Sequence, residues 1–198
     1  MRVGAAQAEL ARFSLEVSLM HMPFLEGERI YLRPLESETD LDRCLSWIND
    51  PELQTRIGRR NPMSRKMEQE WFDAQYKKEN HINLAIVLKD GDRHIGNCGF
   101  DEIDYVNRAA AFGILVAERD AWGKGYGPEA ARLMLGYGFE ELGLHRIWLW
   151  AFSFNEHAIR AYEKAGFKHE GVLREAYYRH GAYHDHVVMS ILESEWRS

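Results

Sequence analysis

The strongest constraint in the sequence is an apolar run, a glycine cluster and a helix pattern laid end to end. "AAAFGILVA" (109–117) is an unbroken apolar stretch of strand length. "ERDAWGKGYGPEAARLMLGYGFEELG" (118–143) then sets Gly123, Gly125 and Gly127 within five residues, directly ahead of a helical pattern. Glycine tolerates positive φ and lets another molecule approach the backbone closely. Pro128 suits the first helical position, where a missing N–H costs nothing. Ala131, Leu135, Phe139 and Leu142 then recur on one helical face. "HRIWLWAF" (145–152) supplies the next strand, so the chain reads as mixed α/β with crossover helices.

The loop at 123–128 opens a helix, where free amides and the positive dipole end favour an anion. A tight connection without any ligand is the alternative. Two common phosphate loops are excluded. A Walker loop requires Lys-Ser or Lys-Thr after the glycines, and a dinucleotide fingerprint requires G-x-G-x-x-G straight after a strand. Here the spacing is G-x-G-x-G, five residues beyond the apolar run.

The remaining pattern surrounds this unit. "RIYLRPL" (29–35) predicts a first strand and "ETDLDRCLSWIND" (38–50) a helix ended by Asp50-Pro51. "SRKMEQEWFDAQYKKE" (64–79) predicts a second helix capped by Ser64. "INLAIVLKD" (82–90) and "HIGNCGFDEID" (94–104) predict strands joined across Asp90-Gly91. "NEHAIRAYEKAGF" (155–167) is a short helix closed by Gly166, and 170–192 a hairpin turning near His180-Gly181.

With 198 residues and 45% apolar content, the chain supports one domain, expected over 23–198, after an N-terminal extension at 1–22 that is disordered or helical. No apolar run approaches a membrane span, and the first residues lack a secretory pattern. Two cysteines, Cys44 and Cys98, fit buried thiols in a reducing, cytoplasmic setting. A net charge of −6 argues against nucleic acid and mildly favours cationic small partners.

In this order, and with this loop, the chain resembles the GNAT superfamily of N-acetyltransferases. The nearer likeness is to its branch of ribosomal-protein N-terminal acetyltransferases and related small-amine enzymes. "WGKGYGPEA" carries one half of it. "NEHAIRAYEKAGF" with "GVLREAYYRHGAYHDHVVMSIL" carries the other, and "LRPL…WINDPE" adds the N-terminal end, so the likeness spans roughly residues 25–196. The resemblance implies an acyl-CoA N-acyltransferase fold, with a mixed sheet of about seven strands splayed between strands 4 and 5. It implies acetyl-CoA as cosubstrate, no metal, no membrane, and direct transfer to a small-molecule amine, a polyamine or a protein N-terminus. A homodimer is the default oligomer. A catalytically silent acyl-CoA-binding sensor or scaffold is the alternative reading.

The same resemblance assigns residues. Trp122, Gly123, Lys124, Gly125, Tyr126, Gly127 and Pro128 fall on the pyrophosphate loop, with donors from the glycines, Lys124 and Tyr126, since Pro128 has no N–H. Leu115, Val116 and Ala117 fall where main chain pairs with the pantetheine arm and polarises the thioester. Asn155 and Ala158 open the helix that contacts the coenzyme, Asn155 also serving as its cap. Tyr162 falls where family members place the acid that protonates the departing thiolate, although a core role is open to it.

The general base is not assigned. The position where related enzymes carry Glu is Trp150 here, and Asp101, Glu102, Asp104 and Glu118 are other candidates or plain surface charges. "HGAYHDH" (180–186) puts His184 and His186 on one strand face, a chelate geometry without further ligands, and leaves Asp185 to orient substrate or pair with Arg. Trp47, Trp71, Phe72, Tyr177 and Tyr178 are candidates for an acceptor pocket or for core.

Overall fold

Short-range turn chemistry sets the frame of the sheet. Gly91 (φ 74°) and Asp92 (φ 51°) turn β3 (Ile82–Leu88) into β4 (Arg93–Asp104). His180 (φ 51°) and Gly181 (φ 82°) turn β7 (Lys168–Arg179) into β8 (Ala182–Leu192), two consecutive left-handed residues as a tight hairpin requires. With β1 (Leu25–Glu26), β2 (Ile30–Pro34), β5 (Ala109–Val116) and β6 (Arg146–Phe152) they form one sheet in the order β1-β2-β3-β4-β5-β6-β8-β7. The computed structural model describes residues 22–75 and 77–197. The expected extension, Met22 apart, lies outside the described residues. The sheet has eight strands rather than about seven, because β1, a two-residue strand, is too short to leave a periodic pattern.

Strand alternation builds two cores. Ile30, Leu32, Ile86 and Ile147 face one side, beneath α4 (Tyr126–Gly136) and α5 (Glu156–Ala165). Tyr31, Ala85, Val87 and Ala117 face the other, beneath α1 (Ser37–Ile48), α2 (Pro51–Arg56) and α3 (Arg65–Gln75), with Leu41, Trp47 and Phe72 as the helix contribution. Gly138 permits the close packing of the segment after α4, since a Cβ there would stand 2.7 Å from Ile147 and 2.9 Å from Phe100. That segment, Tyr137–Glu141, is a π-helical turn, which the 3.6-residue pattern does not reveal.

A buried ion pair ties β2 to α1. Arg33 donates to both oxygens of Asp40 at 2.6 and 2.8 Å, and the Glu36 amide donates to the same carboxylate at 2.9 Å. His94 on β4 approaches it at 3.2 Å. Burial opposes ionisation of Asp40, but these donors outweigh it and hold the carboxyl well below its usual range.

Helix ends follow local chemistry with two differences. Ser64 caps α3 through the Met67 amide, and Gly166 closes α5 in the left-handed region, both as expected. Asp50-Pro51 separates two helices instead of ending one. The Asp50 carboxylate accepts from the Glu52 and Leu53 amides, and Pro51 opens α2. Pro128 is the third residue of α4, not the first, since the helix starts at Tyr126. Its missing N–H still costs nothing there, because first-turn amides have no helical acceptor.

Candidate active site

The site begins where the sheet opens. β5 and β6 run parallel, while every other strand pair among the described residues is antiparallel. Their register covers only Ala109–Arg146, Ala110–Ile147 and Ala111–Trp148. Beyond Ala111 the strands part, so the expected splay lies between these two. α4 and α5 both start beyond the C-terminal ends of this pair, the place where open α/β sheets hold ligands.

Alternation decides which main-chain groups line the gap. The Ala117 amide donates to the Ile95 carbonyl at 2.8 Å, so the odd-numbered residues of β5, Leu115 included, turn their main chain toward β4. Ile114 and Val116 turn theirs toward the gap. The Val116 carbonyl accepts from Trp122 Nε1 at 2.8 Å, leaving its amide on the free edge. Leu115 and Ala117, expected beside Val116, therefore turn their main chain to β4, whereas Ile114 turns its own to the gap. On β6 the Ser153 amide donates to the Asp185 carbonyl on β8, which turns the Trp150 main chain into the gap.

The glycine loop closes one end. Gly123 (φ 72°) and Gly125 (φ 85°) are left-handed. A Cβ on Gly123 would meet nothing within 4 Å. Among the described residues no protein acceptor takes the amides of Gly123, Lys124, Gly125, Tyr126 or Gly127. Five donors at a helix start can surround a phosphate. Glu129 anchors them from below, accepting from the Arg29 and Ile30 amides and from the Arg29 side chain.

α5 supplies the flank. Asn155 Oδ1 caps the helix by accepting from the Ala158 amide at 3.3 Å. Tyr162 packs edge-on to Phe167 (5.9 Å), which stacks on Phe112 of β5 (5.9 Å), so this ring is carried to the strand that forms one lip of the gap. Burial pushes the Tyr162 phenol up to about 12, so it stays protonated over any physiological pH.

The opposite face carries an aromatic wall that the sequence did not assemble. Trp150 stacks on His186 (4.2 Å), Phe152 contacts Tyr177 (4.4 Å) and Phe154 (5.1 Å), and His184 meets Phe154 edge-on (5.0 Å). His184 and His186 do share a strand face, but they pack in this wall. No group of three His, Cys, Asp or Glu among the described residues comes together to hold a metal. Of the expected acceptor set, Trp47 and Phe72 are core, Trp71 is packed beside them, and Tyr178 pairs with Tyr183 away from Tyr177. Only Tyr177 joins the wall.

The candidate carboxylates separate by place. Asp101 pairs with His81, and Asp104 accepts from the Val106 and Asn107 amides, both near the hairpin end of β5 far from the glycine loop. Glu102, beside them, is exposed. Glu118 alone follows the loop end of β5, where it accepts from Trp47 Nε1 at 3.0 Å. Asp185 accepts the Glu175 amide at a bulge of the β7–β8 hairpin and, among the described residues, makes no ion pair with Arg. Cys44 and Cys98 are buried, with the Cys44 thiol raised to about 12, so neither offers a nucleophile.

Comparison with known proteins places this geometry among relatives. Residues 29–168 match the family described as "Acetyltransferase (GNAT) domain". The chain is 34% identical to the putative ribosomal N-acetyltransferase YdaF of Bacillus subtilis, over 86% of this chain and 94% of that one. It is 36% identical to a spermidine N(1)-acetyltransferase of Vibrio cholerae, over 69% and 83%. The crystal structure of spermidine N-acetyltransferase from Vibrio cholerae in complex with CoA and spermine superposes with a TM-score of 0.80 at 27% identity. That match covers 87% of this chain and all of the other.

Proposed function

Since the chain belongs to the GNAT acetyltransferase family, we propose that it moves the acetyl group of acetyl-coenzyme A directly to a primary amine. The observation that carries this reading is the gap between β5 and β6, with the Val116 amide on its free edge and five unpaired amides at its mouth. The loop amides of residues 123–127 hold the pyrophosphate. Ile114 and Val116 pair with the pantetheine arm as an added strand would. The Val116 amide donates to the thioester oxygen as charge gathers there. Asn155, whose Oδ1 serves the helix, keeps its amide N–H₂ for the coenzyme.

The amine attacks the carbonyl carbon, the C–S bond breaks, and the thiolate takes a proton from Tyr162, while the acylated nitrogen releases its surplus proton to solvent, which restores the phenol. A phenol at about 12 is a poor acid for a thiolate whose conjugate acid sits near ~8.5 in water. The desolvation that raises Tyr162 raises the thiolate as well, so the donor and the group it serves shift together. Tyr162 first donates a hydrogen bond and completes the transfer as the bond opens.

No carboxylate stands where related enzymes place a base, which favours acceptors that lose a proton easily. An α-amine, with pKa about 7.7–8.0, is roughly a tenth neutral at pH 7, whereas a lysine-type amine near ~10.4 is neutral in about one molecule per few thousand. The test is a panel of amines and peptides with labelled acetyl-CoA, following thiol release and product mass together. Acetylated product from at least one primary amine is the expected result. Failure of the purified chain to bind acetyl-CoA at all would overturn the reading.

A further inference from the structure

The loop after α2 roofs the gap from the acceptor face. Arg56 lies 4.2 Å over the Trp122 ring, and Trp122 is bonded to the Val116 carbonyl on one lip. Two residues on, a Cβ at Gly58 would stand 2.6 Å from the Phe152 ring on the other lip. The segment therefore spans the mouth, with Arg59 and Arg60 next in sequence and Arg179 reaching in from the β7–β8 hairpin.

These three guanidinium groups differ from most others among the described residues. Arginines here generally sit on carboxylates, as Arg93 does on Asp120 and Arg119 on Asp50. Among the described residues Arg59, Arg60 and Arg179 have no carboxylate within ion-pair distance. Arg59 donates to the Asn61 carbonyl (3.3 Å) and to the Met63 sulfur (3.4 Å), which turns it from the mouth, whereas Arg60 donates to the Tyr178 carbonyl and lies 5.1 Å over the Tyr177 ring. Arg179 donates to the Gln54 and Arg59 carbonyls and to the Tyr177 hydroxyl. Glu68 acts on Arg59 at longer range, and burial holds its own carboxyl above the usual range. The mouth is thus locally cationic in a chain of net charge −6. Beside it Trp150 and Phe154 keep 45% and 40% of their surface exposed.

Resting on the acetyltransferase reading, we infer that the acceptor is a small amino-acid-like amine whose carboxylate is received by Arg60, with its apolar part against Trp150 and Phe154. Arg179, bonded to two main-chain carbonyls, positions the roof rather than binding. A polyamine fits this mouth poorly. A second ammonium near an unpaired guanidinium meets like-charge repulsion. An amine carrying a carboxylate gains a charge-assisted, bidentate partner instead.

The experiment compares matched acceptors at saturating acetyl-CoA: free amino acids, the same compounds as α-amides, and spermidine, read by thiol release. The free acids should exceed their amides in kcat/KM by about tenfold or more, the weight of one charge-assisted contact. Arg60→Ala should bring that ratio near one by raising KM for the acids alone, and Arg60→Lys should restore part of it. Equal or faster turnover of the amides, preference for spermidine, or no turnover of any free acid overturns the inference. So does a drop in CoA affinity in Arg60→Ala with acceptor KM unchanged, which would give Arg60 to the coenzyme. Wild-type binding of acetyl-CoA, measured alongside, separates failure of this inference from failure of the acetyltransferase reading itself.

Discussion

Arg29 and Glu129 share two hydrogen bonds, the Arg29 amide donating to Oε1 at 2.8 Å and its Nε to Oε2 at 2.9 Å, with Nη2 also 2.8 Å from Oε2. The contact fixes the first turn of α4 to the start of β2. Arg29 Nη1 also donates to the Lys124 carbonyl at 2.8 Å. Across a trans peptide the amide of Gly125 then points the opposite way, out of the loop. One side chain thus holds the helix start in place and turns a donor outward.

Replacing Glu129 tests that coupling. Glu129→Ala removes the acceptor for two main-chain amides, one of them buried, and should lower stability by about 2–4 kcal/mol in urea unfolding. The exposed Arg29 half of the ion pair adds little to that figure. Affinity for CoA should fall as well, read by calorimetry on the folded fraction, because the loop amides lose their alignment. Glu129→Gln, which keeps an acceptor oxygen, should lose less of both.

Asp40 governs acid stability. Its carboxyl is held below the usual range by Arg33, His94 and the Glu36 amide, against the effect of burial. A depressed carboxyl contributes stability that is fully present above its unfolded pKa and is lost as pH falls toward the folded one. Asp40→Asn leaves Arg33 buried without its counter-charge, and should cost about 3–5 kcal/mol at pH 7. The gap to the parent protein should narrow once pH drops below about 4. Urea midpoints collected from pH 7 to pH 3 measure it, and a constant gap would remove the assignment.

The elements were legible where local chemistry decides them. Asp90-Gly91 and His180-Gly181 announced their hairpins, Ser64 and Gly166 their helix ends, and the G-x-G-x-G spacing its loop. What the sequence hid depends on pairs distant along the chain. Which face of β5 meets the gap rests on the Ala117 amide finding Ile95, and nothing within 109–117 encodes that. The aromatic wall joins residues of β6, β7 and β8 that are far apart in sequence, so Tyr177 was grouped with helix aromatics that are core. Arg60 and Arg179 meet the Tyr177 ring and hydroxyl only in the folded hairpin, which no local pattern signals. Pro128 and Asp50 were read as boundary residues and placed one or two residues off, since caps fix helix ends only to within that margin.

Tyr162→Phe separates chemistry from binding. The hydroxyl has no partner among the described residues, and burial alone accounts for its pKa near 12. Its loss should leave CoA affinity unchanged and lower kcat by about 10²–10⁴-fold. The parent enzyme should gain activity with rising pH as the acceptor amine deprotonates, with no decline from Tyr162 until pH approaches 12. A raised phenol contributes stability that is intact below the unfolded value of 10 and declines as pH climbs through the folded one. An activity loss centred below pH 10 that disappears in Tyr162→Phe would contradict this ordering.

Gly127 offers the sharpest test of the phosphate loop, because its fold and its proposed ligand make opposite demands. Unlike Gly123 and Gly125 it does not have positive φ, and it lies in the first turn of α4. A Cβ there would sit 3.7 Å from Val116 Cγ2, an ordinary contact. The apo protein therefore has no steric need for glycine, and helix propensity favours alanine by up to about 1 kcal/mol. A phosphate drawn against the main chain would be pushed outward by the added methyl. Gly127→Ala should leave the thermal midpoint unchanged or raised, while CoA binds more weakly. Gly123→Ala should differ in kind: the open space around it accepts the methyl, but the left-handed backbone costs about 1–2 kcal/mol. Melting curves and CoA titrations on both variants read the contrast. A Gly127→Ala protein that binds CoA as tightly as the parent would place the diphosphate elsewhere, and the roles given to the loop amides would go with it.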